Sequence, residues 1–228
     1  TPPKNTPIAR LGMFIAEVEK TDPFKRELVT PIPEMFTSIA GHLIFPLRLV
    51  MSNLWLFKGL LAKVLPLFSP MAGAFVRTTC AFTMAQGSEA PNVIPDSASV
   101  ICNMRPSVHQ KAEESIDVLR QIAKKYDIET EVLLSRDPSE VADHEGKEFR
   151  YLVKCIEEAI PDVVPIPYLM TGGTDCRQFE IVSDNCLRFT PTRLTPEQLA
   201  AMHAANESIG VSALAEGVKF YKYYIQNR

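Results

Sequence analysis

The fold is decided by residues 98–105, which read ASVICNMR. Successive side chains in this stretch alternate between two faces, with Ala98, Val100, Cys102 and Met104 on one face. This period of two is typical of a strand that buries one side. The same alternation directs Arg105 away from the core.

Two more segments share this period. Residues 79–84 read TCAFTM and predict a strand that ends in the turn at residues 86–88, QGS. Residues 128–134 read IETEVLL, in which one face carries Ile128, Thr130, Val132 and Leu134 and the other carries two glutamates. The sequence therefore predicts three strands in its first 140 residues.

Two amphipathic helices complete this region. One is predicted from Pro7, with Ile8, Leu11, Ile15 and Val18 on its apolar face, and the other covers residues 116–126. The resulting order, α-β-β-α-β, is one strand short of the split β-α-β-β-α-β sandwich, in which two helices cover one face of an antiparallel sheet. We expect the missing strand to lie before Thr1.

A polar stretch at residues 135–146 predicts a crossing between two domains, residues 1–140 and 141–228. Helices and strands alternate beyond it, which is typical of an α/β domain. The elements predicted there are a helix at 149–156, strands at 163–168 and 186–189, and a helix at 211–225.

The most apolar segment, residues 43–68, is too interrupted for the ~20 clean residues of a membrane span. Its interruptions are Pro46, Arg48, Lys58, Lys63 and Pro66. We expect a buried or dimer-facing helical segment. An interfacial membrane helix is the alternative, because Trp55, Phe57 and two lysines suit a headgroup boundary.

Composition narrows the classes of partner and the cellular compartment. The 24 Lys and Arg against 27 Asp and Glu give a net charge of -3 without a long basic run, which argues against nucleic acid. The five cysteines are odd in number and form no CxxC pair, so neither a disulfide framework nor a cysteine zinc site is expected. A cytoplasmic location is the simplest expectation. The start at Thr1, without an initiator methionine or signal peptide, suggests a fragment.

A glycine turn is the first candidate for chemistry. Residues 171–175, TGGTD, follow a predicted strand and precede a helical run, where backbone N–H groups can face an anion such as a carboxylate. Gly172 and Gly173 let a ligand approach closely, and Arg177 can clamp a carboxylate with two hydrogen bonds. The competing interpretation is an ordinary turn with a helix cap and a surface arginine.

Three further residues are candidates, each with a structural alternative. His203 lies in a polar stretch before the last helix and can serve as a metal ligand, although a solitary histidine is more often a surface residue. Asn92 and Arg105 flank the 98–105 strand and can reach a ligand in a neighbouring molecule, or be a turn residue and a surface charge. Cys176 is a disfavoured nucleophile, since no histidine is near it in sequence.

Four motifs together carry a family resemblance: residues 1–7, TPPKNTP; 90–95, APNVIP; 172–177, GGTDCR; and 203–207, HAANE. They resemble the zinc-dependent M20 amidohydrolases, which include aminoacylase, glutamate carboxypeptidase and Gly-Xaa carboxypeptidase, and most of all the carboxypeptidase S-like branch. The resemblance implies a two-zinc catalytic domain with an inserted lid that dimerises. Residues 1–140 would be most of a ferredoxin-like lid without its first strand, and residues 141–228 the C-terminal part of the catalytic domain.

The resemblance also implies roles for single residues. His203 resembles the last zinc ligand, Asn92 and Arg105 resemble lid residues that reach substrate, and Gly172, Gly173 and Arg177 resemble the turn that holds the substrate carboxylate. Cys176 and Gln178 depart from the usual residues in that turn, which leaves side-chain selectivity open.

The remaining ligands and the catalytic base would lie before Thr1, so we expect this chain alone to be inactive. The parent protein would be a homodimeric hydrolase that cleaves an amide next to a free carboxylate in small peptides or N-acyl amino acids. Self-association is expected through the sheet edge and residues 43–68. The alternative is a non-catalytic dimerisation or binding module.

Overall fold

The computed structural model describes residues 1–228 and shows a mixed α/β chain with a small, two-stranded sheet. The chain divides into two compact units, Thr1–Glu140 and Val141–Arg228. The elements of the first unit are α1 (Pro7–Thr21), α2 (Ile32–Ala40), α3 (Phe45–Met51), α4 (Leu54–Phe68), α5 (Pro70–Ala74), β1 (Thr79–Gln86), β2 (Ser99–Arg105) and α6 (Ala112–Lys125). The second unit contains α7 (Lys147–Ala159), a 3₁₀ helix (Asp175–Ile181), α8 (Pro196–Ala200) and α9 (Val211–Gln226).

The predicted helix at Pro7 is confirmed as α1. It starts where Thr6 accepts a hydrogen bond from the Ala9 N–H, and it ends at Asp22, whose backbone is left-handed. Its buried side chains are Leu11, Phe14 and Val18. Ile8 was predicted on this face but is exposed, because it lies in the first turn, over Gly87 at the far end of β1.

The two strands pair antiparallel, with Thr79 opposite Arg105 and Phe82 opposite Cys102. The register shifts between Phe82 and Met84, so the predicted alternation fails at Met84, which is exposed. Arg105 is exposed, as the alternation predicts. The inward face of the sheet packs on a buried cluster drawn mainly from α1 and α6, namely Phe14, Val18, Phe24, Leu119, Ile122 and Ala123.

The third strand predicted at residues 128–134 is absent. The segment is irregular, and Leu133 and Leu134 are exposed. Alternation can predict that a segment suits a sheet, but a strand also needs a neighbour for its backbone hydrogen bonds. No part of the chain pairs with this segment, and the sheet stays two-stranded.

Residues 43–68 form helices α3 and α4 as expected, but they are not buried. Helix α4 buries only Leu54, Ala62 and Leu65, and α3 buries no residue. No single helix is long and apolar enough to cross a membrane. Only α3 and α4 taken together reach that length and composition, and they are bent by 102°.

The second unit is built on the pairing of α7 with α9. Its buried cluster is Cys155, Ile156 and Phe220, and the Tyr151 hydroxyl donates to the Tyr224 carbonyl at the edge. The strands predicted at residues 163–168 and 186–189 do not form. Pro165 and Pro167 in the first of them offer no N–H to a ladder, and no neighbouring strand is present.

Candidate functional site

The glycine turn is open to solvent. Gly172 and Gly173 are exposed, and neither has a positive φ. A Cβ built at Gly173 would meet nothing within 4 Å, and one at Gly172 would meet only the Met170 Sδ at 3.9 Å. The backbone itself therefore does not require glycine at either position, and the space above both is free for a ligand.

The helix that follows the turn differs from the prediction. Asp175–Ile181 is a 3₁₀ helix, and the Arg177 N–H donates to the Thr174 carbonyl at 3.2 Å. Arg177 is half-buried close to the two glycines in sequence. This arrangement fixes the backbone of Arg177 next to the open glycine surface.

The 3₁₀ helix is tied to residues 186–188. The Arg188 guanidinium pairs with Glu180 at 2.7 Å, and the Cys176 thiol donates to the Leu187 carbonyl at 3.7 Å. Sequence reasoning missed this ion pair, for which opposite charges eight residues apart were the only signal. Burial raises the pKa of the Cys176 thiol, more than the nearby Arg188 lowers it. The thiol is thus held protonated, which further disfavours Cys176 as a nucleophile.

His203 lies in the turn after α8, a helix that begins with a reciprocal Thr195–Gln198 capping box. The imidazole is exposed, and the backbone is left-handed with φ of 63°. The backbone N–H of His203 donates to the Glu207 Oε2 at 3.2 Å. No group of three or more His, Cys, Asp or Glu side chains in the chain could hold a metal ion. One exposed imidazole cannot hold two zinc ions by itself, because each zinc needs at least three protein ligands.

Asn92 and Arg105 are not brought together. Asn92 lies in the loop before β2, in an open groove beside Thr1, Pro2 and Pro3. Arg105 ends the same strand, whose two ends are roughly 20 Å apart at the usual rise per residue. Arg105 is not among the residues that line the groove at Asn92.

The other histidines, which have no ligand spacing in the sequence, are surface or packing residues. His109 hydrogen-bonds to the Ser107 hydroxyl at 2.8 Å and to the Lys25 carbonyl at 3.2 Å. His144 packs edge-on against Phe149, and His42 is exposed.

Comparison with known sequences identifies the family. Residues 4–131 match the peptidase dimerisation domain of the M20 peptidases. The chain therefore belongs to the M20 peptidase family, and the resemblance drawn from its four motifs is confirmed.

Curated relatives extend the similarity over nearly the whole chain. The chain is 32% identical to the N-fatty-acyl-amino acid synthase/hydrolase PM20D1 of Xenopus tropicalis, over 99% of this chain and 44% of the relative. It is 30% identical to the human protein of the same name, over 99% of this chain and 45% of the relative. A probable carboxypeptidase S-like protein 2 of Dictyostelium discoideum is 27% identical, over 99% of this chain and 43% of the relative. The chain spans less than half the length of these relatives, and no solved structure matches it.

Proposed function

We propose that these residues are part of a hydrolase that cleaves an amide bond next to a free carboxylate, in N-acyl amino acids or small peptides. The observation that carries the proposal is the alignment of 99% of the chain with an N-fatty-acyl-amino acid synthase/hydrolase. The carboxypeptidase S-like relative supports the same bond type. Both kinds of substrate join an acyl group to an amino acid with a free carboxylate.

The glycine turn is the proposed carboxylate site. A carboxylate that approaches over Gly172 and Gly173 meets no side chain from either residue, and Arg177 is next to them with its backbone held by Thr174. A guanidinium binds a carboxylate through two parallel hydrogen bonds, which orients the substrate as well as holding it.

The remaining roles follow the family resemblance. Asn92 and Arg105 would contact substrate from the lid, and the resemblance implies that they reach the active site of the partner protomer in a homodimer. His203 would be one zinc ligand, and the other ligands of the two expected zinc ions would come from outside these residues. Zinc would supply Lewis acidity toward the scissile carbonyl when bound.

The domain assignment is part of the same proposal. Residues 1–140 would be the lid, with a ferredoxin-like sheet completed by a strand from elsewhere, and residues 141–228 the C-terminal part of the catalytic domain. The chain alone would then be inactive. A cytoplasmic location, inferred from the unpaired cysteines, stays a prediction.

Substrate pairs that differ only in the carboxylate test the proposal. A longer protein that contains these residues should hydrolyse N-acyl amino acids and dipeptides, but not their methyl esters. Arg177→Met should lower kcat/KM for the free acid roughly 10- to 100-fold, the size expected for lost hydrogen bonds to a charged group. Lys154→Met, which removes one exposed charge from α7, is the control and should have no effect. Absence of hydrolysis of both substrate classes would refute the proposal.

A dimerisation or binding module is the second candidate. It is favoured by the match of residues 4–131 to a dimerisation domain and by the lack of a metal-binding cluster in the chain. Light scattering and metal analysis of the 228-residue chain test it. A metal bound at full stoichiometry through several ligands of this chain would contradict it.

A further inference from the structure

Helices α3 and α4 expose large apolar side chains that no other part of the chain covers. The most exposed are Ile44, Phe45, Trp55, Leu67 and Phe68, each at 70% or more. A folded chain rarely leaves a contiguous apolar surface of this kind in water, and such surfaces mark contacts with proteins or membranes.

The exposed side of α4 is a regular apolar stripe. Successive helical residues turn by about 100°, which places Leu56, Leu60 and Leu67 within an arc of about 40°. All three are exposed, whereas Leu54 and Leu65 on the opposite side are buried. The helix is thus apolar on both sides, a pattern typical of helices whose second side is also out of water.

Charge is distributed asymmetrically around this surface. Residues 35–88 contain Arg48, Lys58, Lys63 and Arg77 but no Asp or Glu, in a chain whose net charge is -3. Arg77 forms an ion pair with Asp22 at 2.9 Å, and the Arg48 guanidinium donates to the Gly41 and Leu43 carbonyls. Lys58 and Lys63 are exposed and neither forms an ion pair, but at about 100° per residue Lys58 lies on the side of α4 opposite the leucine stripe.

Lys63 argues against a second copy of this chain as the occupant, although the sequence predicted self-association through residues 43–68. A twofold interface would place the α3–α4 surface against itself and bring Lys63 of each copy into an apolar surface that holds no carboxylate. An anionic lipid headgroup complements the same lysine. Lys63 lies between Leu60 and Leu67 on the helix surface, where its amine can extend to the headgroups while its methylenes stay with the leucines.

We propose that the α3–α4 pair lies in the surface of an anionic phospholipid bilayer. The Leu56–Leu60–Leu67 stripe and Phe68 enter the acyl region, Lys63 binds a headgroup phosphate, and Trp55 sits at the boundary with its indole N–H toward water. The proposal concerns a surface in the first unit and does not depend on the proposed hydrolase activity.

Trp55 is the only tryptophan among the 228 residues, and it therefore reports on its own contact with lipid. The chain is mixed with vesicles of phosphatidylcholine alone, or with about one third phosphatidylserine to supply the negative surface that lysines require. Anionic vesicles should co-sediment the chain and shift Trp55 emission to the blue, and brominated acyl chains should quench it. High salt should weaken the binding.

Substitutions on the exposed stripe separate insertion from adventitious adsorption. Leu60→Glu should weaken binding about tenfold, because one leucine side chain no longer leaves water. Lys63→Gln should weaken binding to anionic vesicles about fivefold, which is the contribution expected when one lysine near an anionic membrane surface is lost. Val211→Glu is the control, since it makes the same charge change at an exposed first-turn position of α9, where the helix dipole accepts a carboxylate.

Several results would overturn the proposal. They are no binding to anionic vesicles, binding with unshifted Trp55 emission, or equal losses in Leu60→Glu and Val211→Glu. A dimer that dissociates in Leu60→Glu, without vesicle binding in the unsubstituted chain, would assign the surface to a second copy. If a longer chain that contains these residues does not bind vesicles, the α3–α4 surface would be assigned to a contact with another part of that longer protein.

Discussion

The Sγ atoms of Cys80 on β1 and Cys102 on β2 lie 2.9 Å apart across the antiparallel pair. Both thiols are half-buried on the face of the sheet that packs against α1 and α6. The hydrogen bond between them, together with burial, raises the pKa of Cys80, and the same hydrogen bond lowers the pKa of Cys102. Cys102 is therefore the thiol that ionises first.

This pair should form a disulfide when an oxidant is supplied. The Cys102 thiolate attacks oxidised glutathione and releases one glutathione, and the Cys80 thiolate then displaces the second. The mass of the product should fall by two hydrogens. Its free energy of unfolding should rise by roughly 3 kcal/mol, the usual value for a disulfide that closes a loop of this size. Mass spectrometry after trypsin digestion identifies the bond. Cys102→Ser should abolish it and Cys186→Ser should not; a Cys80 alkylated as fast as a free thiol after oxidation would contradict the prediction.

Glu17 should make stability depend on pH. Its carboxylate accepts hydrogen bonds from the Lys125 Nζ at 2.5 Å and the Tyr126 Oη at 2.6 Å, and these bonds hold the pKa of Glu17 below 4.5. The hydrogen bond between Tyr126 and Glu17 also raises the pKa of Tyr126. A lowered carboxyl pKa adds stability above the unfolded pKa, which is lost as the pH falls through the folded pKa.

Glu17→Gln should therefore lower the Tm at neutral pH, and the difference should shrink as the pH falls below 4.5. Thermal unfolding followed by circular dichroism across this range measures it. The control is Glu19→Gln, an exposed position of the same helix. A difference between Glu17→Gln and the unsubstituted chain that stays constant with pH would show that the hydrogen bonds do not act through ionisation.

The Thr78 hydroxyl should stabilise the packing of α6 against the start of β1. The side chain is fully buried, bonds to the Ser115 hydroxyl at 3.0 Å and to the Gln110 Oε1 at 3.3 Å, and accepts the Ser107 N–H at 3.1 Å. Thr78→Val leaves these groups without their partner and should cost about 1–3 kcal/mol in urea unfolding. Thr78→Ser keeps the hydroxyl and serves as the control. Equal urea midpoints for Thr78→Val and Thr78→Ser would show that the loss of stability comes from side-chain packing and not from the lost hydroxyl.

Phe220 should decide whether the second unit folds. It is 1% exposed and lies with its ring 5.1 Å from that of Phe189, in a cluster that has only two other buried members. Phe220→Ala should cost about 3–5 kcal/mol, a large share of the stability of a unit of this size. Hydrogen exchange should show faster exchange in α7 and α9 but unchanged exchange in α1. Tyr221→Ala, at an exposed position of the same helix, should have little effect.

Helices were predictable because their signals are local. Pro7 and the Asp22 stop mark α1, and the apolar period marks α6, α7 and α9, all of which are present. Strands were predictable only where a partner was also in the chain. Residues 79–84 and 98–105 pair with each other across the connection at residues 87–98, whereas residues 128–134, 163–168 and 186–189 have no neighbouring strand.

The candidate site was predictable as a set of residues but not as an arrangement. The four motifs, which include Gly172, Arg177 and His203, predicted the family through residue type and order, and the match over residues 4–131 and the relatives then showed it. They do not fix the 3₁₀ helix at Asp175, the Arg188–Glu180 ion pair or the exposed setting of His203. These depend on which segments pack against the turn.

The sequence by itself determined helices α1, α6, α7 and α9, the helical segment at residues 43–68, the alternating faces of two strands, the position of the polar crossing near residue 140 and the family. Each of these follows from side chains within a few residues of one another, or from the order of short motifs. The tertiary structure alone decided which strands pair, that Cys80 lies against Cys102, and that the apolar residues of α3 and α4 face outward. The physical reason is that pairing and burial are set by contacts between segments far apart in the chain, and an apolar composition does not specify which contacts cover it.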